Sequence, residues 1–302
     1  MGPWRRADLV HVKRAARSIY SALPFDLAVR LARGKPHWAF YIRDRQRRLT
    51  IDDYLDSFRI AIDTSSDIER RMLSRTYEPD IIEVVERFVP AGGICLDVGA
   101  NVGACTLAMA DRVGSTGTVH AIEPGRAFLA RLRGNLELNP SIAARVTIHE
   151  VGLSDHEGSS QWQSSVSDPG TASMHWVDPK RPVQTIAVTT LDRLAEDQNL
   201  SRLDFLKIDV DGMDHLVIRG GVNAILQHQP VIVFETTLCD SEQVAAAEEA
   251  TRWLEGNGYR IHHITGNVIR PTRFPDLSMN TLALPRGVSA RGVPTRIAPQ
   301  SA

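Results

Sequence analysis

The sequence is poor in cysteine: Cys95, Cys105 and Cys239 are the only three in 302 residues, and none belongs to a CxxC pair. This spacing excludes a zinc ribbon or a disulfide framework and favours a reducing compartment. No apolar run is long enough to cross a bilayer, and no signal-peptide hydrophobic region is present. We therefore expect a cytoplasmic protein. Its 43% hydrophobic residues are enough for a sizeable globular core.

Acidic residues are scarce at the amino end. Residues 1–48 contain twelve Lys or Arg and three acids, although the whole chain has a net charge of −1. Apolar residues recur at helical spacing between positions 9 and 23, which predicts a basic amphipathic helix. Such a helix is typical of membrane-surface segments and transit peptides, and equally of a solvated helix packed on the main body. Peripheral contact with the inner face of a membrane is therefore a second expectation for localisation.

The patterning divides the chain into three parts. Residues 1–60 are predicted to form a helical and hairpin cap, in which residues 37–42 pair with 49–51 and residues 58–62 add a third strand. From residue 61 to 285 helical and strand patterns alternate. Residues 286–302 are rich in Arg, Pro and Ser and are predicted to be disordered.

The central part predicts an α/β fold with a doubly wound, mostly parallel sheet and an antiparallel C-terminal strand. Predicted helices cover residues 67–74, 79–88, 104–112, 126–138, 215–226 and 242–256. Predicted parallel strands cover residues 94–98, 118–122, 146–149, 205–208 and 231–234. Residues 259–264 and 280–284 are predicted as a final antiparallel pair. Residues 152–190 break this rhythm and predict either a β-rich insertion at the ligand-binding edge or an irregular loop.

A glycine-rich turn follows the first core strand. Gly99 and Gly103 leave room where backbone approaches a ligand, and the helix that starts after them offers unpaired N–H groups. Asp97 lies at the carboxyl end of the strand, where open α/β sheets bind their ligands. The spacing Gly-x-Asn101-x-Gly differs from the Gly-x-Gly-x-x-Gly of dinucleotide enzymes. The turn therefore predicts a nucleotide-type cofactor other than a dinucleotide.

Two further positions fit such a cofactor. Glu123 ends the second strand, twenty residues after Gly103, where a carboxylate accepts hydrogen bonds from both hydroxyls of a ribose. The alternative is an acid that only caps the next helix. Ser154 and Asp155 follow the third strand, and Asp155 can accept from the exocyclic amine of adenine. An Asx-type turn that closes a loop explains this pair equally well.

Acidic residues also follow the fourth and fifth strands. Asp209, Asp211 and Asp214 lie within six residues, and their mutual repulsion calls for a cation, a proton or a substrate. Gly212 is at the fourth position rather than the sixth, so the segment is not an EF-hand, and no metal site is predicted. Asp209 is the predicted catalytic group, whereas Asp211 and Asp214 fit helix caps. Glu235 is predicted as an acceptor-binding group or base, with an exposed strand-end acid as the alternative.

Taken together these motifs resemble one family. The resemblance rests on Tyr77-Glu78-Pro79, Leu96-Asp97-Val98-Gly99-Ala100-Asn101-Val102-Gly103, Glu123-Pro124, Leu191-Asp192, Lys207-Ile208-Asp209-Val210-Asp211-Gly212 and Phe234-Glu235, in the order and spacing of FkbM-type S-adenosylmethionine (SAM)-dependent methyltransferases. It covers about residues 60–285. The family usually has Glu at the positions of Asp211 and Asp214, so both acids are one methylene shorter here.

The resemblance implies a class I, Rossmann-like methyltransferase fold, SAM as cofactor, and O-methylation of a hydroxyl on a sugar, polyketide or glycolipid-type metabolite. The residues that it places at the cofactor are Glu78, Asp97, Gly99, Asn101, Gly103, Glu123, Ser154 and Asp155. Asp209 would lie at the reacting centre, with Glu235 or a histidine (His262 or His263) as a substitute base. Both histidines fit packing or surface roles better.

Two other functions stay open from the sequence. A nicotinamide-dependent Rossmann oxidoreductase shares the sheet and the ribose acid, but it calls for the dinucleotide turn that Ala100 and Asn101 replace. A non-catalytic protein could use the basic segment to bind a membrane or a polyanion. The chain lacks the interleaved aromatic and basic residues of an RNA-binding module, so no nucleic-acid partner is expected.

Overall fold

The computed structural model describes residues 48–164, 172–173, 183–210, 212–236, 241–265, 268–272 and 280–290. Within this part the chain divides between Tyr77 and Glu78 into two compact units. The predicted basic helix, the predicted strand at residues 37–42, Asp211 and residues 291–302 lie outside the described residues. The predicted domain boundary after residue 60 and the predicted disordered tail therefore stay predictions.

The first unit is a hairpin followed by a short helix. Strands β1 (Arg48–Tyr54) and β2 (Phe58–Asp63) pair antiparallel, and helix α1 (Asp67–Leu73) follows them. The hairpin reverses at Leu55 and Asp56, which both have positive φ. The predicted strand at 49–51 therefore pairs with the predicted third strand at 58–62.

The second unit contains the central sheet and its helices. Its elements in chain order are α2 (Pro79–Phe88), β3 (Ile94–Val98), α3 (Ala104–Val113), β4 (Thr118–Ile122), α4 (Arg126–Glu137), α5 (Pro140–Ala143), β5 (Val146–His149), β6 (Gly152–Leu153), β7 (Gly158–Ser164), β8 (Ala172–Ser173), β9 (Gln184–Thr189), α6 (Leu191–Asp197), β10 (Phe205–Ile208), α7 (Asp214–Arg219), α8 (Val222–His228), β11 (Val231–Glu235), α9 (Ser241–Gly256), β12 (Arg260–Thr265), β13 (Val268–Pro271) and β14 (Asn280–Leu284).

The central sheet confirms the predicted fold class. Its eight strands lie in the order β13-β12-β14-β11-β10-β3-β4-β5. The five strands from β11 to β5 are parallel, and β14 is antiparallel to both of its neighbours. Because parallel strands end at the same edge, the residues after β3, β4, β10 and β11 are brought to one side of the sheet.

Burial explains why the central parallel strands are rich in apolar residues. Helices cover both faces of such a sheet, so successive residues on a strand are all buried. All four residues of β10 are buried, including the charged Lys207. Leu206 and Ile232 pack in one cluster with Val217 of α7 and Leu254 of α9. A lysine in such a strand requires partners of opposite charge.

One departure from the predicted elements has a steric cause. The helix predicted over residues 215–226 is broken into α7 and α8 at Gly220 and Gly221. A β-carbon on Gly220 would lie 2.1 Å from the carbonyl oxygen of Ser154, and one on Gly221 would lie 2.4 Å from the Leu191 side chain. The chain therefore needs two glycines between α7 and α8, because α6 and the segment after β6 pack closely against this junction. Asp192 then caps α8 by accepting from the amide of Ala224 (2.8 Å).

The described parts of residues 152–190, namely 152–164, 172–173 and 183–190, contain a second sheet. Its strands lie in the order β6-β9-β7-β8, and β7 pairs antiparallel with β9. The predicted β-rich insertion is therefore present.

Candidate active site

The glycine turn lies between β3 and α3, as its sequence predicts. Gly99 has a φ of +77°, and a β-carbon there would lie 2.0 Å from the carbonyl oxygen of Asp209. Gly103 has a φ of +92°, and a β-carbon there would lie 2.5 Å from Leu132. Asn101 between them also has positive φ, at 51°. The turn thus needs left-handed backbone at three positions and packs directly on the end of β10.

Glu123 is held against this turn. Its carboxylate accepts from the backbone amide of Asn101 (2.9 Å) through one oxygen and from the amide of Gly125 (2.7 Å) through the other. Burial raises the pKa of Glu123 from 4.5 to about 7, and these two N–H donors only partly oppose the effect. Each carboxylate oxygen keeps a free lone pair. Sequence predicted Glu123 and the turn as one site, and the structure brings them together.

Lys207 joins the turn to the end of β10. Lys207 and Asp97 are paired positions on neighbouring strands, and the Lys207 Nζ lies 3.0 Å from Asp97 Oδ1 and 3.4 Å from Asp209 Oδ2. Nζ also donates to the carbonyl of Gly99 (3.1 Å). Asp97 is fully buried and accepts from the Thr106 hydroxyl of α3 (2.6 Å), whereas the Asp209 side chain is 39% exposed. Asp209 is thus the accessible member of the group.

Further carboxyls surround Asp209. Glu78 directly precedes α2 and has a left-handed backbone conformation, with a φ of 41°. Burial raises its pKa, and the nearby charges of Asp209 and Glu235 raise it further. Glu235 ends β11. The family resemblance assigned Glu78 to the cofactor. In the structure Glu78 is near enough to the two predicted catalytic acids, Asp209 and Glu235, for their charges to affect its pKa.

Asp214 ties the ends of two strands together. Its carboxyl accepts from the amide of Glu235 (2.9 Å) and from the amide of Val210 (3.3 Å). Burial, followed by the charge of Asp209, raises its pKa well above the ordinary value. Asp214 is therefore structural, but it is not the helix cap that the sequence suggested: Met213 is the residue before α7, and no side chain among the described residues caps that N-terminus.

Ser154 and Asp155 pack against α7. The Asp155 carboxylate lies 3.3 Å from the Arg219 guanidinium and 3.0 Å from the His156 ring. Ser154 is buried, and its amide donates to the carbonyl of Thr189 (2.9 Å). Their assignment to adenine stays a prediction.

The two histidines that could substitute for the base lie on β12. β14 separates this strand from β11, which ends in Glu235. His262 is buried, and its Nδ1 lies 2.9 Å from the carbonyl of Arg260, to which it can donate. His262 thus has a structural contact within its own strand.

Sequence reasoning assigned no role to Lys207 or to Trp162. A single lysine among the apolar residues of β10 is the signal that could have identified Lys207.

Trp162 of β7 packs edge to face on Phe128 of α4, with ring centroids 5.9 Å apart. A β-carbon on Gly125 would lie 2.8 Å from both rings. The insertion therefore packs on the loop that holds Glu123, and no local pattern marks that contact.

The strand order of the central sheet is that of the Rossmann-like class I methyltransferase fold. A family model described as the methyltransferase FkbM domain matches residues 97–261, more than half of the chain. The chain belongs to the FkbM methyltransferase family, as the motifs predict.

Individual relatives are distant. "Methyltransferase 1" from Beauveria bassiana is 29% identical over an alignment 217 residues long, which covers 65% of this chain and 82% of that protein. The crystal structure of Methyltransferase FkbM from Methylobacillus flagellatus is 18% identical with a TM-score of 0.44. That match covers 81% of this chain, and this chain spans only 57% of that structure. The crystal structure of a SAM-dependent O-methyltransferase from Thermotoga maritima is 17% identical, with a TM-score of 0.40. That match covers 80% of this chain and 86% of the Thermotoga maritima chain.

No helix among the described residues is long and apolar enough to cross a membrane. Within the same residues, no cluster of three or more His, Cys, Asp or Glu side chains is arranged to hold a metal ion.

Proposed function

We propose that this methyltransferase uses SAM to methylate a hydroxyl oxygen of a sugar, polyketide or glycolipid-type metabolite. The observation that supports this most directly is the contact between the glycine turn and Asp209. The carbonyl of Asp209 occupies the space that a side chain on Gly99 would fill. A cofactor on the turn would therefore lie next to the accessible carboxylate of Asp209.

The residues present fit SAM. Glu123 is buried, and both of its oxygens keep a lone pair for the two hydroxyls of a ribose. Gly99 and Gly103 give the turn its left-handed backbone, and α3 begins directly after them, where the first N–H groups of a helix have no partner within the helix. SAM, when bound, would supply a methyl group on a sulfonium sulfur, which is an excellent leaving group.

Residues of the chain would align the acceptor and take up its proton. Alignment of the acceptor oxygen with the methyl carbon is worth about 7–11 kcal/mol when the reacting groups are held in place. A hydroxyl has a high pKa, so a base that takes its proton assists the transfer. We assign that role to an oxygen of Asp209. Glu235 lies close enough to influence the same group of carboxyls and would orient the acceptor or replace Asp209 as the base.

Ligand binding tests the cofactor. Thermal unfolding and calorimetry with SAM, S-adenosylhomocysteine (SAH) and NAD+ should give a response to the first two alone. A ligand at a hundred times its Kd stabilises the protein by about 2.7 kcal/mol. Stabilisation by NAD+ in place of SAM and SAH would contradict the proposal.

Methyl transfer tests the acceptor class. Radiolabelled SAM should methylate members of a panel of free sugars, glycolipids and hydroxylated polyketides. A matched panel in which the hydroxyls are blocked should stay unlabelled. Label that appears only on amines or carbons would contradict O-methylation.

We further propose that the basic segment at residues 1–48 directs the enzyme to acceptors at an anionic membrane surface. About 1 kcal/mol of attraction is available for each Lys or Arg near such a surface. The full chain should sediment with phosphatidylglycerol vesicles at low salt, and should stay in solution with phosphatidylcholine vesicles. Equal behaviour with both lipids would contradict this proposal.

A further inference from the structure

Lys207 is a buried cation whose ammonium lies close to four oxygen atoms. Only 2% of the residue is exposed. Its Nζ lies 3.0 Å from Asp97 Oδ1 and 3.4 Å from Asp209 Oδ2, and it donates to the carbonyls of Gly99 (3.1 Å) and Val98 (3.3 Å). Two of these contacts are hydrogen bonds to backbone carbonyls, and the other two are ion-pair distances to carboxylates.

The two carboxylates paired with Lys207 differ in their access to solvent. Asp97 is fully buried, whereas the Asp209 side chain is 39% exposed at the carboxyl edge of the sheet. Burial alone lowers the pKa of Lys207, but the charges of Asp97 and Asp209 more than reverse this effect and raise it well above the ordinary value. The ammonium thus stays charged and cancels one of the two negative charges beside the glycine turn.

The surroundings of this group are acidic. The charge of Lys207 also acts on Glu78 and on Glu123, where burial raises the pKa and Lys207 opposes it. Without the ammonium, the glycine turn would face several carboxyl groups with no nearby positive charge from β10. Such a site would attract a cation strongly.

We propose that Lys207 is a charge-balancing positioning residue, which fixes Asp209 against the glycine turn and stops the site from binding the cationic donor too tightly. The proposal rests on the proposed use of SAM. SAM has a positive sulfonium, whereas the product SAH is neutral. Uncompensated carboxylates would favour the charged ground state over the transition state, in which the positive charge on sulfur is being lost.

The ratio of two affinities tests this role. Calorimetry gives Kd(SAH)/Kd(SAM) for the parent and for Lys207→Met, which keeps a similar chain length without the charge. We expect the ratio to rise by about tenfold in Lys207→Met, because the sulfonium gains an uncompensated negative charge nearby. Lys207→Arg keeps the charge and should keep the ratio of the parent, even if both affinities fall.

Controls separate this role from a loss of folding. Asp192→Ala removes the cap of α8 without touching the group around Lys207, and should lower the thermal stability at an unchanged ratio. If Lys207→Met does not fold, Lys207→Met combined with Asp97→Asn removes the unpaired buried charge and leaves Asp209 as the only charge of the three. Because this double variant loses one positive and one negative charge, its group keeps the net charge of the parent, and its ratio should stay near that of the parent. Asp97→Asn alone, in which Lys207 cancels the remaining charge of Asp209, should lower the ratio, and an unchanged ratio there would contradict the proposal.

Several outcomes would overturn the proposal. An unchanged ratio in Lys207→Met would show that the ammonium does not balance the charge of the donor site. Loss of both ligands from the single and the double variant would show that Lys207 is needed for binding itself. If the parent binds neither SAM nor SAH, the proposed function fails before the role of Lys207 is reached, so the two failures are distinguishable.

Discussion

A β-carbon on Gly99 would lie only 2.0 Å from the carbonyl oxygen of Asp209. The contact is between backbones, and Gly99 also has a φ of +77°, so a side chain there meets both a clash and strain. The cofactor turn and the predicted catalytic residue are thus fixed relative to each other by close packing.

This contact predicts a large effect of Gly99→Ala. The left-handed conformation alone costs about 1–3 kcal/mol in a residue with a side chain, and the clash adds to it. We expect a clear loss of stability in urea unfolding and loss of SAH binding by calorimetry. Gly134→Ala is the matched control, because nothing lies within 4 Å of a β-carbon at this position in α4. It should gain about 0.5–1 kcal/mol of stability and bind SAH normally. Normal SAH binding by Gly99→Ala would contradict the assigned role of the turn.

Asp209→Asn should separate binding from transfer. Loss of a general base typically costs about 10²–10⁴ in rate, so methyl transfer should fall by at least that lower factor while SAH affinity stays near the parent value. Asp204→Asn is the matched control. Asp204 directly precedes β10, at the end of the strand opposite Asp209, and its carboxylate accepts from the amide of Ile94 (2.8 Å). It should retain transfer. Undiminished transfer by Asp209→Asn would point to Glu235 as the base.

Glu123 predicts a pH dependence of cofactor binding. Its pKa is about 7 in the folded protein, and the ionised form accepts hydrogen bonds from a ribose best. SAH affinity of the parent should therefore rise as the pH increases through about 7. Glu123→Gln should bind more weakly and lose this dependence. A bend near pH 7 that persists in Glu123→Gln would assign the titration to another group.

Glu123 also makes the stability of the folded protein depend on pH. Its contribution to stability falls as the pH rises, whereas the affinity for SAH is expected to increase. A carboxyl with a raised pKa favours the folded state fully below 4.5, and this contribution is lost as the pH rises to about 7. The loss amounts to about 3 kcal/mol. Glu123→Gln should therefore be more stable than the parent at pH 8 in urea unfolding, with the difference shrinking toward pH 4.5. A constant difference would contradict the raised pKa.

His120 and His149 predict acid sensitivity. His120 Nδ1 and His149 Nε2 are 2.9 Å apart, so one ring nitrogen must donate and the other accept. Burial, with the charge of His149, lowers the pKa of His120 from 6.5 to about 4. Because the pKa of His120 is lower in the folded protein, neutral His120 stabilises the folded state above pH 6.5, and this stabilisation is lost as the pH falls toward 4. We expect a loss of about 2 kcal/mol over this window.

A double variant isolates the histidine pair. His120→Phe combined with His149→Phe keeps two stacked rings and leaves no unpaired nitrogen, so its unfolding free energy should change less between pH 6.5 and 4 than that of the parent. His228→Gln on α8 is the control and should follow the parent. Because Glu123 titrates in the same range with the opposite sign, only the difference between variant and parent is informative.

The elements of the second unit could be predicted because each carries a local signal. Mostly apolar residues mark β3, β4 and β10 in the sequence, and a proline marks the start of α2. The predicted helix at 215–226 was wrong in one respect, since it breaks at Gly220 and Gly221. The cause is an approach to Ser154 and Leu191, which are about 30 to 65 residues away and leave no trace in the local pattern.

By itself the sequence determined the alternation of strands and helices, the glycine turn, and the acids that follow each parallel strand. Those acids were predicted to meet because parallel strands end at one edge. Only the tertiary structure decided their partners: Lys207 for Asp97 and Asp209, two backbone amides for Glu123, and Arg219 for Asp155. Periodicity reports which face of an element is buried, whereas the partner of a buried charge depends on which strands become neighbours and in what register.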